Sequence, residues 1–234
     1  MQPSENKGAA PWSFSRWNDF NTCPRQYEHK YIKKTIPFVE SPQVKLGKRF
    51  HDAAEKRLDP KIKKPMPKEF KKQAKYIEKL ANIPGTHYPE VKMGVTRDFK
   101  ACQFFSKQVW LRGASDLNII ATDKTAASVF DHKTGSPKFP KPEQLELMAL
   151  LTFALYPGVE KIKGALLFVM HRQSVSREFV RKEDHDFLRA KWISEFEEMN
   201  EAHGNNVFNP KPNGLCRNWC PVESCPENGN YTGD

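Results

Sequence analysis

The stretch LRGASDLNIIATDKTAASVFDHK, residues 111–133, decides how this chain reads. It lies across two β-strand patterns, 109–121 and 126–132, rich in β-branched and aromatic residues and separated by a polar turn. On a strand, residues i and i+2 point to one face, so Asp131 and Lys133 share a side and the His132 ring points away from it. If the two strands pair, Asp116 can join them. Two carboxylates beside a lysine suit hydrolysis of a phosphodiester. The acids bind a hard divalent cation through oxygen, and the ammonium group stabilises developing charge or orients the attacking water. The acid-x-lysine spacing by itself carries no information, since it also begins at Glu5, Glu28, Asp59, Glu69, Glu90 and Asp98. Asp131 differs from these in context: an apolar strand leads into it, the turn Thr134-Gly135-Ser136-Pro137 follows, and the preceding strand carries an acid.

Outward from this stretch the period changes. Residues 90–99 read as a further strand, and 46–57 and 65–81 as helices of a helical lobe spanning about 46–82. Nearer the N-terminus, Ser13 or Ser15 offers a cap for a helix over 14–21 with Phe14, Trp17 and Phe20 at helical spacing, and Pro24 begins another carrying Tyr27 and Tyr31. Downstream, 143–156 is apolar on most faces and predicts a helix buried against a sheet, stopped by Pro157-Gly158. A hairpin over 163–172 and 175–180 and an amphipathic helix over 183–202 follow. The expectation is an α/β fold: a mixed central sheet flanked by helices, with an N-terminal helical lobe. Residues 1–11 read as a disordered leader, 12–226 as a single domain whose cysteine-bearing tail is 203–226, and 227–234 as a flexible C-terminus.

Composition bounds the function. The chain has 234 residues and a mean hydropathy of −0.72, with 38 Lys+Arg against 28 Asp+Glu, a net charge of +10 and a pI near 9.3. Only 38% of residues are apolar, but Phe, Trp and Tyr make up 12%, enough large rings to build a core and to exclude disorder throughout. No run approaches the ~20 apolar residues of a membrane span and the first residues lack a signal-peptide core, so the reading is a cytoplasmic protein that does not use a membrane. The charge is uneven: residues 56–79 carry +7 and residues 183–201 carry −5. That is the pattern of a basic lobe meeting a polyanion and a solvated acidic helix. Five cysteines, an odd number, disfavour a full disulfide framework and leave metal ligation to compete with buried thiols.

The chain as a whole resembles the RecB-type branch of the PD-(D/E)xK nucleases. The resemblance rests on Ser13-Phe14-Ser15, Cys23-Pro24-Arg25-Gln26-Tyr27, Gly47-Lys48-Arg49-Phe50-His51, Gly113-Ala114-Ser115-Asp116, Asp131-His132-Lys133 and Gln144, in that order over residues 12–226. It implies a restriction-endonuclease-like fold and a site in which His51, Asp116, Asp131 and the carbonyl of His132 hold the metal, Lys133 assists the attacking water and Gln144 positions the site. An imidazole among oxygen ligands is compatible with Mg²⁺ and better suited to Mn²⁺. Four residues after the glutamine, where such proteins often carry tyrosine, this chain has Met148. Glu90 is a weak further acid.

Some RecB-type nucleases, AddB-type and CRISPR-associated ones among them, have one early and three late cysteines that hold a 4Fe–4S cluster. Cys23, Cys216, Cys220 and Cys225 are similar, with a C-x3-C-x4-C late spacing in place of the usual C-x2-C-x5-C. Zn²⁺ fits four thiolates as well chemically. Cys102 reads as a small buried hydrophobe. DNA contact is expected from Lys64, Lys68, Lys71, Lys72, Lys75 and Arg112, with Trp110, Phe104 or Phe105 as stacking surfaces. The resemblance implies a metal-dependent DNA exonuclease acting on single strands or ends in recombination, repair or phage DNA metabolism, in the host cytoplasm if phage-encoded. The competing class is a non-catalytic DNA-binding or adaptor protein with a metal-stapled tail.

Overall fold

A computed structural model describes residues 11–232, so all of the expected leader except Pro11, and the last two residues of the expected flexible terminus, lie outside it. The chain forms two compact units: one from the stretch up to Val39 together with Lys191 onward, the other from Glu40–Ala190.

The larger unit is built on a six-stranded sheet, β1 (Thr86–Val95), β2 (Ala101–Cys102), β3 (Leu111–Ile120), β4 (Ala126–Lys133), β5 (Lys161–Phe168) and β6 (Gln173–Val180), in the order β2-β1-β3-β4-β5-β6. All neighbours are antiparallel except β4 and β5, which run parallel because helix α5 (Glu143–Leu155) carries the chain back between them. This is the mixed α/β sheet expected from the sequence. Two further helices, α3 (Pro42–Leu58) and α4 (Lys71–Ala81), cover one face of the sheet. There Phe50, Phe70, Ile77 and Leu80 pack against Leu117, Ile119, Phe130 and Leu167, which form the main core. Helix α5 packs against β1, β3 and β5. It is buried along most of its length, as its nearly uniform apolar surface requires.

Several boundaries move for local reasons. Helix α3 starts four residues before its expected position because Ser41 accepts from the Val44 N–H and Pro42 supplies the first turn. The basic helix starts late: Pro65 and Pro67 lie outside any helix, and a 3-10 turn over Lys68–Phe70 leads into α4. Strand β1 stops at Val95, where Thr96 and Lys100 close a turn with Phe99 in the left-handed region.

The smaller unit joins the two chain ends. It contains α1 (Phe14–Thr22), α2 (Pro24–Tyr27) with a π-helical turn over Glu28–Ile32, the part of α6 (Arg181–Asn205) from Lys191 onward, and the tail. Its core is aromatic. Trp12 stacks on Phe196 at 5.8 Å, Trp17 meets Trp192 edge-on at 4.9 Å, and Tyr27 lies 6.2 Å from Phe208. The buried Trp17 indole satisfies its N–H on Glu195, 2.8 Å away. The tail beyond Asn205 has no helix or strand and is held in part by polar contacts. The Arg25 guanidinium donates to the Phe208 carbonyl, and the Lys211 ammonium donates to the Asn21 carbonyl. The end of the described tail bonds back onto its earlier part. Asn228 is buried and donates to the Cys220 and Val222 carbonyls, and the Gly229 N–H bonds the Cys216 carbonyl.

Candidate active site

The sheet is not continuous at its centre. Pairing of β3 with β4 ends at Leu117 opposite Phe130, so Asp116 and Asp131 are the first residues past the point where the two strands part. A backbone group freed by the split is captured by a side chain: the His132 N–H donates to Asp116 Oδ2. Splitting the ladder therefore serves to bring two carboxylates together in a half-buried notch.

Four further side chains converge there. From α3, His51 Nδ1 lies 2.8 Å from Asp116 Oδ1. The Lys133 ammonium is 2.7 Å from Asp131 Oδ2, and Gln144, at the start of α5, donates to Asp131 Oδ1 at 2.7 Å. His132 Nδ1 is 3.6 Å from Asp116 Oδ2. Its ring, expected to point away, does leave the Asp131 face, but it turns towards His51, with the ring centroids 6.1 Å apart. Donor atoms of His51, Asp116 and His132 lie within 4.8 Å of one another. The sequence reading offered only the carbonyl of His132 and missed the imidazole. The signal available was its alternation with Phe130, which places both on the α3 face.

The electrostatics follow from burial and proximity. Burial opposes a charge on His51, but the hydrogen bond and charge of Asp116, followed by Asp131 and Glu90, hold its pKa above the usual imidazole value. Burial pushes the Asp116 carboxyl up, while His51 and His132 outweigh it and bring it below its ordinary value. Asp131 goes the other way: burial, reinforced by Asp116, raises it despite Lys133. His132 is buried and held neutral, its pKa down to about 4. Asp131 Oδ2 is buried and accepts no well-aligned hydrogen bond, its close partner being Lys133. A notch with two carboxylates and a neighbouring imidazole fits a hard divalent cation.

Glu90 belongs to the same cluster. The β1–β3 ladder skips Glu90 and Asp116 between the pairs Pro89–Leu117 and Val91–Ser115, and Glu90 has φ 50°, in the left-handed region. For a non-glycine residue that conformation costs about 1–3 kcal/mol and marks strain stored at a site. Burial, then the charges of Asp116 and Glu55, push the Glu90 carboxyl up to about 7. A carboxyl whose folded pKa lies above its unfolded one loses stability as pH rises from about 4.5 through 7. Glu90→Gln is therefore expected to raise the metal-free Tm by about 2–4 °C at pH 8 and to leave it nearly unchanged at pH 4, below both pKa values. Equal shifts at both pH values in thermal denaturation would contradict this origin.

The remaining expected residues sit elsewhere. Lys64, Lys68, Lys71, Lys72 and Lys75 are exposed on and before α4. Arg112 lies over the Phe104 and Phe105 rings, at 4.9 and 5.8 Å. In the smaller unit, Cys23 and Cys225 are buried, and the sulfurs of Cys23 and Cys216 accept from the N–H groups of Lys211 and Asn213. Burial, opposed by a hydrogen bond from Val222 and aided by the charges of Cys216, Cys23 and Cys225, raises the Cys220 thiol. Among the described residues no three of these thiols lie as close as the His51, Asp116 and His132 donors do. Cys102 is not buried as expected: it is half-exposed on the edge strand β2.

A mixed six-stranded sheet flanked by helices, split at its centre over paired carboxylates, defines a restriction-endonuclease-like fold. The chain belongs to the PD-(D/E)XK nuclease superfamily, whose family model matches residues 11–94 and 74–226. Membership implies metal-dependent nuclease activity with Mg²⁺ or Mn²⁺, and DNA as substrate. No curated protein matches the chain. Among solved structures, that described as "Crystal structure of SSO0001" is similar at 18% identity over 95% of this chain and 89% of that one, with a TM-score of 0.47. No helix among the described residues is long and apolar enough to cross a membrane.

Proposed function

We propose that the chain is a DNA exonuclease acting on single strands or ends, with His51, Asp116 and Asp131 holding Mg²⁺ or Mn²⁺. The convergence of these three with Lys133 and Gln144 at the split between β3 and β4 carries the reading. When bound, the cation supplies Lewis acidity toward the phosphate and lowers the pKa of a water. The protein's own groups do the rest. Gln144 fixes the Asp131 carboxylate through Oδ1 and leaves Oδ2 directed at Lys133. Lys133 offers an ammonium beside the developing charge, and the His132 N–H orients Asp116. The neutral His132 imidazole, or the carbonyl of the same residue, completes the ligand set. Glu90 is a further acid that tunes the site through Asp116.

The basic surface on and before α4 (Lys64, Lys68, Lys71, Lys72 and Lys75), with Arg112, gathers the DNA backbone. In the smaller unit, Cys23, Cys216, Cys220 and Cys225 hold a 4Fe–4S cluster rather than Zn²⁺. Charges of Cys216, Cys23 and Cys225 that reach Cys220, and backbone N–H donors to the sulfurs of Cys23 and Cys216, support a shared thiolate site. The biological setting we infer is recombination, repair or phage DNA metabolism in the cytoplasm.

The deciding assay compares end-labelled single strands, linear duplex and a covalently closed circle in Mn²⁺ and Mg²⁺. Mononucleotide release from linear DNA with the circle left intact is expected. Nicking of the circle would overturn the exonuclease assignment. Binding of every DNA without cleavage would favour the adaptor alternative.

A further inference from the structure

On the face of the sheet that carries α3 and α4, a groove of about 510 Å³ opens between α4 and the adjoining ends of β5 and β6. Its charged rim is Lys72, Lys75, Lys79 and Arg172, and its apolar surface includes Tyr76, Leu167 and Val169. No acid lines it. The sole acid on α4, Glu78, is held by Arg57, while the four rim cations are exposed and form no ion pair among the described residues. Leu167 and Val169 are buried in the main core, and Tyr76 is half-buried against it. Arg172 turns the hairpin with φ 55°, a conformation that side-chain-bearing residues rarely adopt.

The groove's position relates it to the notch. Lys133 and Phe168 are paired at the ends of the parallel strands β4 and β5, and the Val169 N–H donates to the Lys133 carbonyl at 3.0 Å. Neighbouring strands lie about 4.8 Å apart. The strand end beneath the groove and the backbone of Lys133 are therefore neighbours at one end of the sheet, while the Lys133 side chain, like that of Asp131, lies on the opposite face.

The chemistry of the groove selects among DNA forms. A purely cationic surface would hold duplex phosphates without regard to strandedness. A recess with an aromatic wall needs the π face of a base, which a duplex hides within its own stack, and a recess of this size suits one small organic group. We propose that the groove takes an unpaired nucleotide of the substrate strand, its base against Tyr76 and its phosphates on Lys72, Lys75, Lys79 and Arg172. This rests on the nuclease reading and makes preference for single strands a property of this groove.

The test is fluorescence anisotropy with a labelled 12-mer of thymidine and a blunt duplex of the same length, without added divalent metal. Tyr76→Ala is expected to weaken single-strand binding about tenfold and duplex binding less than about twofold, and Tyr76→Phe to restore the wild-type value because the ring remains. Arg172→Ala removes an exposed side chain and does not threaten the core. It is expected to weaken single-strand binding and to lower the slope of log K against log salt by about one. Equal losses on both DNAs, or single-strand affinity unchanged in Tyr76→Ala and Arg172→Ala, would overturn the groove and leave the nuclease reading standing. Cleavage by the wild type in Mn²⁺ is scored separately. Its absence would overturn the nuclease reading and, with it, the assignment of the groove to a substrate strand.

Discussion

Asp131→Asn is expected to reduce DNA cleavage by about 10³-fold or more while leaving the protein at least as stable as the wild type. The substitution keeps the shape and an oxygen for Gln144 to donate to, and removes the charge. In the metal-free protein that charge is a burden, because burial and Asp116 raise the Asp131 pKa above its ordinary value. A raised carboxyl pKa means stability that is present at low pH and lost as pH rises, so the neutral amide relieves the cost near neutrality. Activity and stability thus move in opposite directions, which a merely structural role would not produce. The measurements are initial rates on a labelled single strand in Mn²⁺ and thermal denaturation at pH 7.5 with and without the metal. Mn²⁺ is expected to raise the wild-type Tm and to have little effect on the variant. A variant that cleaves within tenfold of wild type would remove Asp131 from the site.

The second large effect concerns the four cysteines. With the cluster proposed for them, Cys225→Ser is expected to abolish iron incorporation and the visible absorption. It is also expected to lower the Tm of the unit containing both chain ends by about 10 °C or more, since metal binding at such sites is folding free energy. This tail has no regular structure to hold it. Its described anchors are polar contacts such as Arg25 to Phe208, the Phe208 ring beside Tyr27, and the buried Val222 and Cys225. Hydrogen exchange should show protection lost over residues 203–232, with the amides of β3 and β4 as an internal reference. A colourless wild-type protein with one zinc per chain would replace the iron assignment. A Cys225→Ser protein that keeps both iron and Tm would remove the site altogether.

The candidate site was legible in the sequence to the extent that it follows from local order. Asp131 and Lys133 share a face by simple alternation, and Gln144 stands at the start of the helix after the Gly135 turn, so both contacts to Asp131 are short in sequence. His51 and Asp116 are 65 residues apart, and no periodicity of either segment predicts their 2.8 Å contact. Their approach depends on α3 packing over the place where β3 leaves β4. The His132 imidazole was missed for the same reason. Alternation says only that it faces away from Asp131, not that the other face belongs to His51.

Glu90 shows the limit most clearly. From sequence it is one of seven acids placed two residues before a lysine. Only the fold sets it opposite Asp116, in the one step that the β1–β3 ladder skips and in a left-handed backbone conformation. The groove beside Lys133 is similar. The lysines of α4 announce a basic face, but Leu167 and Arg172 reach it through the parallel crossover that α5 makes between β4 and β5. What the sequence determined by itself was the kind of chemistry: two acids and a lysine at a strand end, a basic lobe, and four cysteines able to share a metal. What the tertiary structure decided was which groups meet. Hydrophobic packing sets the helix over the sheet, and the backbone hydrogen bonds that the split leaves open fix where the acids stand.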